Sequence, residues 1–442
     1  MSARAALFCL ALVGCRPQSS AAPTHTTAAP LELLSEATDL DPDPDRLLVE
    51  LTAERAADGS YRYSGLRPGP VLRIPVGGTV EVRLDNRLDG PTTIHWHGVG
   101  VPFEMDGVPW MVGPVAAGAR FTYRFVAERA GTFWYHPHFD TEHQVDLGLY
   151  GLLIVEDPAE PSVDEELLLV VDDPDETGRH PVYGYAKPRA WTVNGQDAPA
   201  SHVLRGGDTV RVRVLNASNT GYLALTSEGV ESVALANDQG IAGGAPDAAP
   251  WVLGPGDRLE LELRVGTSTG ALVSFPYSLN GGSVPWGAPT PLVEWSVQAP
   301  AAAPTPKLWD HPSAAPSEDP GYTDIIWTLT GSDRSGVWAI DGERFPDIEI
   351  EEIDAGVPTV IEVRNLSSTH HPFHLHGDAF EVLSIDGVPP ARRRLEDTLD
   401  IGIFQRARLL LTSERAGDWM AHCHILPHAE LGMMTVLRVR EP

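Results

Sequence analysis

Lysine is nearly missing from this chain of 442 residues: only Lys187 and Lys307 occur, so its positive charge is almost all arginine. Acidic residues dominate and leave a formal charge of −29, which argues against nucleic acid, because phosphate binding needs a basic face. That charge reads as a solubility device. Cysteine is scarce too (Cys9, Cys15 and Cys423), and no C-x-x-C pair exists to build a cysteine-rich structural zinc site. There is no cluster among the six methionines and no long apolar stripe of helical period. The apolar run from Ala5 to Val13 is too short to span a membrane. What is plentiful is glycine, proline and short alternating segments, the content of an all-β protein.

Histidine is where the information lies. Ten of sixteen histidines gather with Cys423 around four H-x-H motifs: His95-Trp-His97, His136-Pro-His138, His374-Leu-His376 and His422-Cys423-His424. Residues two apart on a strand share a face, so each motif presents two imidazoles together. Four such pairs could supply eight nitrogen ligands to one buried metal cluster. Cys423 must point the other way, and a metal held by it would sit behind the cluster, joined to it through one tripeptide. His371 and His428 belong with Cys423, and Met433 lies five residues beyond His428. Two imidazoles, a thiolate and a weak thioether make the ligand set of a blue-copper electron-transfer centre. Met433 has Met434 beside it, and a core methionine is the plainer reading of its type alone. His25, His143, His180, His202, His311 and His370 fall outside the pattern and are expected to face solvent or bond locally.

A repeat organises these motifs. A glycine precedes an asparagine by nine residues at Gly77/Asn86, Gly207/Asn216 and Gly356/Asn365, with strand-like TVEVRLDN, TVRVRVLN and TVIEVRN between, each expected to bury one face. Nine residues on stand His95, Leu225 and His374. Gly131 and Gly417 each precede a histidine, His136 and His422, by five. The chain therefore reads as three copies of one β domain, with a shared cluster between the first and third and no ligands in the middle. Turn and composition signals place domains at 46–158, 159–300 and 321–442, with a linker at 301–320. Residues 1–15 read as a leader ending Leu12-Val13-Gly14-Cys15, which resembles the lipobox of bacterial lipoproteins. The expectation is cleavage before Cys15, acylation of its thiol, and a flexible tether over 16–45 holding an exported protein to the cell envelope, facing the periplasm. After that cleavage Cys423 is the only thiol, so no disulfide forms within the chain.

The blocks HWHG (95–98), HPH (136–138), HPFHLHG (371–377) and HCHILPHAELGM (422–433) resemble those of the multicopper oxidases, as do WTVNGQDAP (191–199) and the VLNAS stretch ending at Ser218. The resemblance implies three cupredoxin-like Greek-key domains and four copper ions. The type 1 copper would take His371, Cys423, His428 and, axially, Met433; the type 2 copper would take His95 and His374. Of the type 3 pair, one would take His97, His136 and His424, the other His138, His376 and His422. The implied reaction is one-electron oxidation at the type 1 copper, transfer through Cys423 to His422 and His424, and reduction of dioxygen to water at the trinuclear cluster.

Asp106, nine residues after His97, resembles the family's proton-relay carboxylate; a turn aspartate before glycine is the alternative. The chain departs from many relatives at Ala429, where they carry an acid (Glu430 comes next), and at Asp378, where they carry histidine. An axial methionine implies a moderate reduction potential. The leading expectation is a laccase-like oxidase of phenols or aromatic amines. The alternatives are a Cu(I) metallo-oxidase for copper tolerance and a non-catalytic cell-envelope scaffold.

Overall fold

The computed structural model describes residues 28–441 apart from 161, 175–190, 245–248, 278, 280–286, 299–313 and 333. The leader with Cys15, both lysines, His25, His180, His311 and most of the expected linker lie outside the described residues. Within them, strands form six sheets that fall into three successive pairs along the chain.

The glycine–asparagine repeat marks the same strand in each pair: Thr79–Asn86, Thr209–Asn216 and Thr359–Asn365. Each pairs in parallel with an earlier strand (Arg46–Arg55, Glu165–Asp172, Ile325–Ser332) and antiparallel with a later one (Arg120–Val126, Arg258–Arg264, Arg406–Leu411). The glycines that open them, Gly77, Gly207 and Gly356, have φ of 84°, 96° and 74°, a turn conformation costly for any side chain. The asparagines are fully buried and close a corner. Asn86 Nδ2 donates to the carbonyls of Gly90 and Val115 (3.0 and 2.8 Å), Asn216 to Gly221 and Leu253 (2.7 and 3.0 Å), and Asn365 to Thr369 and Ile401 (2.7 and 2.9 Å). Each Oδ1 accepts the backbone N–H two residues on. The repeat is thus a buried polar latch, and removing one would orphan two carbonyls.

The expectation of a single buried face holds for Thr79–Asn86, whose burial alternates, but not for the other two copies: six of the seven residues of Thr359–Asn365 are buried. Every residue of Thr209–Asn216 is buried, because Arg211 and Arg213 on its charged face grip the fully buried Glu260 of the next strand. Arg213 and Glu260 also hold Thr132 of the first unit (3.0 and 2.7 Å), so this face is an interface rather than a surface. In the position that matches His95, Leu225 is buried in the middle core.

Each unit has its own apolar core, and a fourth cluster joins them, with Trp134 and Ile154 of the first unit, Val170 and Leu215 of the middle and Leu426 of the third. The flexible tether expected over 16–45 is corrected in its described part. Ala29–Pro30 pairs in parallel with Ala200–Arg205, Leu31 enters the middle core, and Ala37 N–H donates to the Val71 carbonyl (2.8 Å). Leu31 gives this polar segment enough apolar burial to hold it against the sheets.

Candidate metal centres

Two strand ladders carry the histidine pairs. His95 sits opposite His136 in the first unit, and His374 sits opposite His422 in the third. The eight rings of the H-x-H motifs meet between those units. His95 stacks on His376 (centroids 3.9 Å) and His97 on His374 (3.8 Å). His136 lies 5.5 Å from His424, and His138 lies 5.2 Å from His422. These pairings exchange into one another when the first and third units are swapped, which makes the site pseudo-twofold.

Hydrogen bonds at the back of each ring fix which nitrogen faces inward. The Nδ1–H groups of His95, His136, His374 and His422 donate to the carbonyls of Asp106, Pro137, Asp397 and Cys423 (3.0, 3.0, 2.8 and 2.9 Å). His376 Nδ1–H donates to Asp106 Oδ2 (2.8 Å). A neutral imidazole has one N–H, so the Nε2 of each of these five is a bare lone pair. His97 is reversed: its Nε2–H donates to Asp397 Oδ1 (3.0 Å), leaving Nδ1 bare. The bare nitrogens of His95, His97, His136 and His374 are buried and have no hydrogen-bond partner, and the same is true of His138 Nε2 and both ring nitrogens of His424. His376 Nε2 and His422 Nε2 face one another at 3.3 Å, lone pair to lone pair. Such an arrangement repels itself unless cations sit among the nitrogens, so the donor set fits a metal cluster.

Titration agrees. Burial, then the neighbouring imidazoles, pushes His97, His136, His138, His374 and His422 far below the ordinary histidine value. Burial first likewise takes His424 down to about 3 and His376 to about 4. All seven rings are neutral at physiological pH. Asp106 stays ionised: burial opposes its charge, but the facing rings of His376 and His95 outweigh it and hold the carboxyl well below the usual range. Asp106 lies at the end of a short 3-10 turn, Phe103–Met105, and Gly107 follows with φ of 77°. A Cβ on Gly107 would stand 1.9 Å from the Ile94 carbonyl, so glycine lets the turn press against the strand that starts at His95.

Sequence reasoning missed the mate of Asp106. Asp397 bonds His374 through its carbonyl and His97 through its carboxylate, as Asp106 bonds His95 and His376. No H-x-H spacing points to it, because it is the one-residue bend between strands Leu395–Glu396 and Thr398–Ile401, more than twenty residues from the nearest motif.

Cys423 is fully buried on the opposite face of its strand, across from Phe373. Its Sγ lies 3.3 Å from His371 Nδ1 and 3.7 Å from His428 Nδ1. Met433 is buried in the same core cluster, and its carbonyl accepts the Cys423 N–H (3.2 Å). Trp338 stacks on His428 at 3.8 Å. His371 Nε2–H donates to Ser367 Oγ (2.7 Å), and Ser367 bonds Asn365 Oδ1 (2.8 Å), so the latch asparagine of the third unit also sets the orientation of this ring. Burial pushes the Cys423 thiol up and takes His371 down to about 3, which leaves a protonated thiol that a bound metal would deprotonate.

The remaining expectations fall out as follows. His202 bonds Glu165 (2.7 Å) and His370 bonds Asp400 (2.7 Å), while His143 stands edge-on to Tyr61. Glu430 is exposed and accepts the Thr141 N–H (2.9 Å), across the junction of the third and first units. Asp378 pairs with Arg415, which also reaches Glu128 of the first unit, so the residue that departs from relatives serves the same junction.

Family models described as multicopper oxidase match residues 52–160 and 320–442. Multicopper oxidase MmcO of Mycobacterium tuberculosis is 28% identical, with 85% of this chain and 82% of that protein covered. The crystal structure of a multi-copper oxidase from Pseudomonas thermotolerans is 31% identical with a TM-score of 0.75, covering 89% of this chain and 99% of that one. A Campylobacter jejuni multicopper oxidase described as a metallo-oxidase has a TM-score of 0.77 at 24% identity, over 94% of this chain and 96% of that one.

Proposed function

The chain belongs to the multicopper oxidases, and from that membership we propose that it oxidises small phenols or aromatic amines at the Cys423 site and reduces dioxygen to water at the eight-histidine site. The observation that carries this reading is the Cys423 backbone, which joins a thiolate site on one face of a strand to two bare-nitrogen imidazoles on the other. Copper held by these side chains supplies one-electron acceptance at the first site and dioxygen reduction at the second. In the proposed assignment His371, Cys423, His428 and Met433 form the type 1 site, and His95 with His374 the type 2 site. His97, His136 and His424 (centroids 5.0 to 5.7 Å apart) and His138, His376 and His422 (4.9 to 5.4 Å) form the type 3 pair.

Each dioxygen consumes four electrons and four protons to give two waters, so the closed histidine site needs an acid–base group at hand. Asp106 is the group in place, its carboxylate against His376 and His95. Asp106→Asn should lower turnover about 10- to 100-fold while reductant still bleaches the blue centre without oxygen. Unchanged turnover would remove Asp106 from proton delivery.

For the reductant, an aromatic pair at the rim favours organic substrates. Exposed Trp110 lies 4.5 Å from Phe345, whose N–H bonds the Gly432 carbonyl beside Met433. The second reading, oxidation of Cu(I), has Met434 half-buried at the chain's last strand but no methionine cluster to capture the ion. Oxygen uptake by the copper-loaded chain decides between them. The expected result is a kcat/KM for a phenol at least tenfold above that for Cu(I). The opposite ranking would make the protein a metallo-oxidase, and no uptake with either would leave a scaffold.

A further inference from the structure

The eight histidines are pseudo-twofold, but the middle unit breaks that symmetry, since its contacts converge on Asp397 and the His97, His136 and His424 side. Arg258, the first residue of the middle strand Arg258–Arg264, has a wholly buried side chain with all five N–H groups satisfied. Its Nε donates to the Thr132 carbonyl (2.9 Å), in the strand Gly131–His136 that ends at a ligand. Nη1 donates to Gly256 O (3.1 Å) and Asp397 Oδ1 (2.7 Å), and Nη2 to Asp238 O (3.1 Å) and Asp397 Oδ2. Asp397 Oδ1 in turn holds His97 by Nε2, together with Thr398 Oγ1 (3.0 and 2.9 Å), and these two bonds reverse the ring, while the Asp397 carbonyl holds His374 (2.8 Å). Gln239, also of the middle unit, donates to both Asp397 Oδ2 and the Gly98 carbonyl. Gly98 follows His97 and has room for no Cβ, which would stand 2.6 Å from Arg258 Nη2. Gly256 lies against His424, where a Cβ would be 3.1 Å from the ring.

We propose that the middle unit is an asymmetric clamp: through Arg258, Gly256 and Gln239 it positions His97, His136 and His424 and so determines whether that one copper of the type 3 pair is retained. The opposite set is held from the other units, His376 by Asp106, His422 by the Cys423 carbonyl and the His138 N–H by Thr93 Oγ1 (2.8 Å). The unit that lost its own ligands thereby presents its neighbour's ligand with the right nitrogen. A planar guanidinium does this because it engages both carboxylate oxygens at once while still tying down three backbone carbonyls.

The inference rests on the copper assignment above, and the test separates the two. Arg258→Lys keeps the charge but cannot make the two-point contact. Copper per chain is measured on parent and variant before and after the same chelator challenge, with EPR of each. The variant is expected to stay blue, to hold one copper about 10- to 100-fold more weakly than the parent, and to show a new uncoupled Cu(II) signal from the partner left behind. Parent-like retention with no new signal would overturn the clamp. Should Arg258→Lys fail to fold, Gln239→Leu carries the same reading, with loss of that copper supporting the clamp and full retention overturning it. A parent chain that takes up no such copper would defeat the proposed function instead.

Discussion

Replacing Cys423 with serine leaves a folded, colourless chain whose turnover with any reductant falls about a thousandfold, equivalent to about 4 kcal/mol of barrier. Folding survives because the change is nearly isosteric at a buried position, and the new hydroxyl has His371 Nδ1 as its nearest acceptor, 3.3 Å from the sulfur's place. Residual strain from burying it is about 1–3 kcal/mol. The eight-histidine site is untouched, since its lone pairs are set by carbonyls and by Asp106 and Asp397. Absorption, copper content and oxygen uptake measured together check this. A blue Cys423→Ser protein would falsify the assignment of the thiolate site, and a colourless one that still consumed oxygen at the parent rate would break the link between the two sites.

The second large effect is acid lability of the metal-free chain. Nine of the histidines proposed as ligands, at 97, 136, 138, 371, 374, 376, 422, 424 and 428, have folded-state values below the ordinary one, with burial the first cause in each. A base whose folded value is depressed stays neutral in the fold while the unfolded chain takes up the proton. Its stability contribution is therefore whole above about pH 6.5 and is lost as pH falls below that. The loss runs at about 1.4 kcal/mol per pH unit for each group, so nine groups forfeit about 12 kcal/mol by about pH 5.5. That rivals the whole stability of a typical domain, about 5–15 kcal/mol. The metal-free chain should unfold between about pH 6 and 5, and copper, which occupies the same lone pairs, should move the midpoint down by at least about one pH unit. Circular dichroism against pH with and without copper measures it; coincident midpoints would mean the histidines are not held neutral by the fold.

The histidine pairs were legible because H-x-H spacing is a local strand rule that needs no knowledge of what lies across the interface; His95–His97 is wholly a strand, and the other three motifs begin on a strand and run off its end. The glycine–asparagine repeat was legible for a similar reason, since each glycine turns into the strand that its asparagine ends. Arg258, Asp397 and Gln239 were not. RLELELR from 258 to 264 alternates charge with leucine, the pattern of a solvent-facing strand, yet six of its seven residues are buried. Two of those charges also find partners in other units, Asp397 for Arg258 and Thr132 for Glu260, and pairing across more than a hundred residues leaves no mark in spacing. Ser367 was hidden differently: it lies four residues before His371, but a serine in a loop carries no signal until its hydroxyl is seen on the ring.

The two sites also differ in what must exist before they do. All four ligands proposed for the type 1 copper, His371, Cys423, His428 and Met433, belong to the third unit, whereas the other eight come half from the first and half from the third. A nascent chain can complete the first kind of site by folding its carboxyl-terminal unit, but the second waits on quaternary-like docking of units already formed. The thiolate site thus asks for side chains of one folded unit, the eight-histidine site for two units already docked.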